Sequence, residues 1–91
     1  MAIMVTHHRV KDYSAWRPIY EGDAARRKSM GIKDWKVGQK PDDPNEIYML
    51  WEVEDPNKIQ GMMNDPELKV LMEKAGVVSP PEVILTLSEG K

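Results

Sequence analysis

Of two adjacent histidines, His8 is the residue best suited to proton transfer in this chain, and His7 reads as a packing or surface residue. An imidazole titrates near ~6.5, so a modest change of surroundings makes it a base at neutral pH. Neighbouring residues of an extended segment point to opposite faces, so the pair cannot share one metal ion. Zero cysteines exclude thiolate zinc sites, cysteine nucleophiles and disulfide scaffolds together. No glycine-rich phosphate loop or Gly-x-Ser-x-Gly elbow is present, and neither a metal nor a cofactor is expected. The second titratable candidate is Glu52, a carboxylate in the middle of an apolar run, where burial demands a partner. By alternation His8 shares a side with Met4, Thr6 and Val10, Glu52 with Tyr48 and Leu50, and Thr86 with Ile84. Placed on one sheet face, these residues give His8 a carboxylate to orient it, with Thr6, Tyr48 and Thr86 to bind a ligand oxygen. The same positions also admit purely structural roles. His8 can close a buried hydrogen bond, and Glu52 can pair with an arginine such as Arg9. Of the three tryptophans, Trp16 and Trp51 read as core, whereas Trp35 can border the site and stack on an aromatic ligand.

The elements that would position these groups follow from periodicity. Ala2 to Val10 is rich in β-branched residues and reads as a strand. Tyr13 to Met30 turns helical, with Trp16, Ile19, Tyr20 and Ala24 on one stripe and Gly31 as the C-terminal stop. Pro18 falls inside it, which predicts a looser first turn over Tyr13–Arg17, capped by Asp12 or Ser14. Ile32 to Lys40 alternates as a strand with Trp35 and Val37 on its buried side. Pro41 to Asn45 is a turn, and Glu46 to Glu54 is a strand apolar enough to lie centrally. Asp55-Pro56 and Asp65-Pro66 each start a helix, the second ending at Gly76. A last strand runs from Glu82 to Leu87. Strand, helix, two strands, a helix in two pieces and a strand is the ferredoxin-like βαββαβ order. It predicts a single α+β domain over residues 1–91, with a four-stranded antiparallel sheet and helices on one face.

A net charge of −2 argues against nucleic acid as a partner. Residues 1–40 hold nine Lys/Arg against four acids, and residues 41–91 hold four against eleven. The two halves therefore complement one another. The cluster Arg26-Arg27-Lys28 reads as cations at a helix C-terminus, or as a phosphate patch. No run reaches the ~20 apolar residues of a membrane span, and the first residues lack a signal-peptide pattern, which predicts a cytoplasmic protein. Parity assigns Ile3, Val5, Val83, Leu85 and Leu87, with Ile47, Met49, Trp51 and Val53, to the helix side. The opposite face is half apolar and too large to leave bare, so two sheets are expected to meet in a homodimer enclosing a chamber.

The strings His8-Arg-Val-Lys-Asp-Tyr-Ser-Ala-Trp-Arg-Pro18, Asp43-Pro-Asn-Glu46 and Ala75-Gly-Val-Val-Ser-Pro-Pro81 resemble the dimeric α/β-barrel superfamily. Within it the resemblance is to small proteins related to antibiotic-biosynthesis monooxygenases. It implies a dimeric α/β barrel and a cofactor-independent monooxygenase acting on an aromatic or polyketide-like substrate, with His8 as the base. It equally admits a cyclase, or a non-catalytic ligand-binding or stress-associated dimer. Relatives carry a histidine after a Phe-Asp-Glu string in the first helix; here the stretch is Tyr20-Glu-Gly-Asp23.

Overall fold

The computed structural model describes residues 1–88. Strand β1 spans Ala2–Arg9, helix α1 Tyr13–Gly22, α2 Ala24–Ser29, β2 Ile32–Lys40, β3 Asp43–Val53, α3 Asn57–Met63, α4 Pro66–Lys74 and β4 Glu82–Leu87. The sheet order is β2-β3-β1-β4 with every neighbouring pair antiparallel, the arrangement expected of a ferredoxin-like sandwich. None of the helices among the described residues is long and apolar enough to cross a membrane.

The helix boundaries have local causes. The Asp12 carboxylate accepts from Ser14 N–H and starts α1 at Tyr13, with Pro18 accommodated inside a regular helix rather than after a loose turn. The interruption falls later, where Gly22 ends α1 and Asp23 separates it from α2, both residues being poor in a helix interior. Asp65 caps α4 through Glu67 N–H, with Pro66 in the first turn. Gly31 and Gly76 follow their helices at φ 76° and 80°, a left-handed conformation that a Cβ disfavours.

Three segments lock the end of β1. Val10 N–H donates to Asn45 O, Lys11 N–H to Gly76 O and Val78 N–H to Arg9 O. The Asn45 side chain accepts from Tyr13 N–H and donates to Lys11 O, and Arg9 N–H donates to the Ser79 hydroxyl. The residues around Asn45 and Gly76 thus hold the strand end that carries His8.

The core lies between the sheet and the helices. It is built from Met4, Val10, Ile47, Met49, Trp51 and Val53 of the sheet side, with Trp16, Ile59 and Met62 of the helices. Register shows why. Met4 lies opposite Trp51, Thr6 opposite Met49 and His8 opposite Ile47, and residues directly opposite share a face. Met4, Thr6, His8 and Val10 therefore face the helices. This corrects the expected assignment of Ile3 and Val5 to that side. Leu85 and Leu87 lie opposite Val5 and Ile3 and share the open face with them, again the reverse of expectation. Both sides of β1 are apolar, so pleat parity alone does not select one, and a one-residue choice swaps every side chain.

Candidate functional site

Side chains from both layers surround a cavity of about 70 Å³ between sheet and helices, lined by His8, Trp16, Tyr20, Arg27, Trp51 and several methionines. His8 is 5% exposed, and neither ring nitrogen has a hydrogen-bond partner. An unsatisfied buried polar group costs free energy and is rare enough to require a reason. Burial, with the nearby His7 as a smaller influence, pulls its pKa down to about 4, so the imidazole is neutral at pH 7. One ring nitrogen then carries a proton and the other a free lone pair. The Trp16 ring meets the imidazole edge-on at 5.4 Å and stacks on Tyr20 at 4.6 Å.

The wall opposite His8 is held rigidly. Arg27 is 5% exposed, donates to both Asp34 oxygens at 2.8 and 3.0 Å and to Tyr20 O at 2.8 Å, and lies 3.7 Å over the Tyr20 ring. The Tyr20 hydroxyl accepts from Trp51 Nε1 at 2.9 Å and donates to Asp34 at 3.3 Å. Burial pushes the Tyr20 pKa up, keeping the phenol protonated. Asp23, which stands where the resemblance implies a histidine, lines the same cavity and pairs with Arg26 at 3.1 Å.

The structure divides the expected site between two faces. His8 and Thr6 face the helices, and Thr6 is fully buried with its hydroxyl donating to Met49 O. Thr86 lies opposite Met4 in register, on that same side but exposed. Tyr48 and Glu52 lie on the open face, where the Lys33 ammonium is 3.8 Å from the Glu52 carboxylate. Glu52 therefore cannot orient His8 within the protomer. The expected His8–Glu52 pair is absent; a different imidazole–carboxylate pair joins His7 to Glu46 on the open face, with Arg9 bridging Glu46 and Asp43 at 2.5 and 2.6 Å. These contacts hold the Glu46 and Asp43 carboxyls below their usual range: the bond from His7 and then Arg9 for Glu46, the bond from Arg9 for Asp43. Trp35 is 55% exposed rather than buried, because a bulge between Asp34 and Lys36 turns it outward. It lines an outer groove with Tyr20 and Arg27.

Arg27 escaped the sequence reading as one member of a basic cluster. The signal was Asp34, an acid on the same side of its strand as Ile32. The aromatic wall was visible as residue types but was assigned wholly to core. Among the described residues no group of three or more His, Cys, Asp or Glu is placed to hold a metal.

No family model matches the chain, and no curated protein does. Solved structures do. An antibiotic biosynthesis monooxygenase is 12% identical with a TM-score of 0.66, all of both chains being covered. A conserved protein from Methanosarcina mazei Go1 is 17% identical, with 99% of this chain and 94% of that one covered and a TM-score of 0.66. An uncharacterized NIPSNAP domain protein from Burkholderia xenovorans is 11% identical, covering 99% and 95% with a TM-score of 0.64. At such identities the likeness speaks for architecture. The chain shares with these solved structures its fold, a four-stranded antiparallel sheet with helices on one face.

Proposed function

We propose that the protein is a small cofactor-independent monooxygenase-like enzyme acting on a hydroxylated aromatic ring, and that the reaction takes place in the cavity at His8. The observation that carries this reading is a buried imidazole with both nitrogens free in a mostly apolar, aromatic-walled space whose two charged side chains, Asp23 and Arg27, are each engaged in an ion pair. A ring hydroxyl is the group that would satisfy it.

With a pKa of about 4, His8 is a weak base in the cavity, because burial disfavours the charged imidazolium there. Proton transfer from a phenol places a phenolate beside the imidazolium as it forms, so base strength rises as the proton moves. A ring bound against Trp16 and Trp51 would displace water from these walls, which strengthens the resulting ion pair. The ring anion then gives electrons to dioxygen at a CH2 carbon of its keto form. One oxygen atom stays as a carbonyl, and the other leaves as water with that carbon's remaining hydrogen and the proton held by His8. Replacing His8 by Ala is expected to lower the rate of oxygen uptake on an anthrone-type substrate by about 10²–10⁴-fold. Undiminished uptake would end the proposal, and turnover without oxygen uptake would favour a cyclase.

The open face supports a homodimer. Ile3, Val5 and Leu50 are only half-buried, and Leu85 and Leu87 are each 46% exposed, a contiguous apolar strip that a second copy would cover. Leu85→Lys should convert a particle of about 20 kDa into the 10.4 kDa protomer by light scattering; a wild-type protomer at micromolar concentration would refute the assembly.

A further inference from the structure

We propose that the groove outside Met63, Met72 and Pro81 is a second subsite, which takes an uncharged apolar tail of the ligand whose ring occupies the cavity. The inference rests on the cavity reading above and adds the shape of the ligand.

Size requires a ligand that reaches beyond the cavity. A benzene ring is held by a cavity of about 150 Å³, against the 70 Å³ here. A ring at His8 must therefore displace part of the wall, and the walls differ in how readily they yield. At Tyr20 and Arg27 the side chains are fixed by charge-assisted hydrogen bonds to Asp34, by Tyr20 O and by Trp51 Nε1. Opening there strands a buried guanidinium. At Met63 and Met72 the wall consists of thioethers, which change rotamer without breaking hydrogen bonds. Helix α4, which carries Met72, has no fully buried residue. The soft wall gives way first.

Beyond it lies a groove that shares Met63, Met72 and Pro81 with the cavity, so these side chains are the wall between the two spaces. Its floor includes Val77, Val78 and Val83, the last two 49% and 42% exposed. The charged groups on its rim are one Lys69 and one Glu73, which balance. Gln60, Asn64 and Ser79 add neutral polar groups, so a lining that is mostly apolar and without net charge selects an alkyl or ring tail bearing no charge.

The test is a titration of phenol and 4-ethyl-, 4-butyl- and 4-hexylphenol by anaerobic calorimetry. Complete burial of one methylene strengthens binding about fourfold; an open groove buries about half of each, so about a twofold gain per methylene is expected beyond the ethyl member. Val78→Asp, or the milder Val78→Ser, should abolish that increment while leaving phenol affinity unchanged. An increment that persists in both variants, or a series that is flat in the wild type, overturns the subsite. His8→Ala separates the two readings: it should weaken phenol and hexylphenol equally. If it weakens neither while Val78→Asp still removes the increment, the cavity reading fails and the groove remains.

Discussion

The most direct trial of the His8 argument is thermodynamic and needs no substrate. Two unsatisfied ring nitrogens buried at this position cost about 1–3 kcal/mol. Leucine has similar bulk and no polar atom, and the change of shape returns up to about 1.5 kcal/mol of that gain. His8→Leu should therefore stabilise the protein at pH 7 by about 1 kcal/mol. The pH dependence then amplifies the difference. In the folded chain His8 titrates at about 4 instead of 6.5, so the unfolded state binds the extra proton first as pH falls. The contribution of neutral His8 is complete above pH 6.5, is lost progressively below it, and levels off under pH 4. At 1.36 kcal/mol per pH unit, the loss is about 2 kcal/mol at pH 5 and about 3 at pH 4. The variant should thus lead the wild type by about 3 kcal/mol at pH 5.

Urea unfolding at fixed protomer concentration measures both quantities, since association would otherwise enter the midpoint. With a slope near 1 kcal/mol/M for a chain of this size, the midpoint rises by about 1 M at pH 7 and about 3 M at pH 5. A destabilised variant at pH 7, or a gap that does not widen on acidification, would mean that the imidazole is satisfied after all, and the argument for a ligand hydroxyl would go with it.

Other expectations follow from the same geometry. The acid limb of kcat/KM, measured as oxygen uptake from pH 3.5 to 8, should inflect at about 4; an inflection near 6.5 would place the essential base elsewhere. Asp34→Ala leaves Arg27 buried without its counter-ion and should lower stability by about 2–3 kcal/mol in urea, at the low end for a buried pair because the Asp34 side chain is 42% exposed. A cost below 1 kcal/mol would show that water reaches the guanidinium.

Fold was legible in the sequence because each element carries its own punctuation. The Asp-Pro pairs at Asp55 and Asp65, the glycines at Gly31 and Gly76, and the alternation of β2 are local signals, and the strand and helix order follows from them. Face assignment was not legible. It depends on which residue of β1 lies opposite which residue of β3, a long-range match that each strand encodes only through one apolar side. Here Ile3 and Val5 are as apolar as Met4 and Val10, because the open face is itself greasy. His8 was therefore found by its chemistry yet assigned to the wrong layer, with Glu52 as a partner it does not meet. Arg27 was hidden for a related reason, since its match to Asp34 joins a helix to a strand that bulges at Trp35.

What remains is why so small a core tolerates such a place. The unpartnered imidazole costs about 1–3 kcal/mol, and the 70 Å³ cavity beside it forgoes packing contacts. A chain of 91 residues has a net stability of only about 5–13 kcal/mol. The void and His8 together thus consume part of what folding leaves over, and filling both with apolar atoms would return it. A packing role does not account for that expense, because packing is what the arrangement gives up. A ligand that fills the void and hydrogen-bonds the imidazole would recover both costs on binding, which ties the affinity of the site directly to the instability of the empty fold.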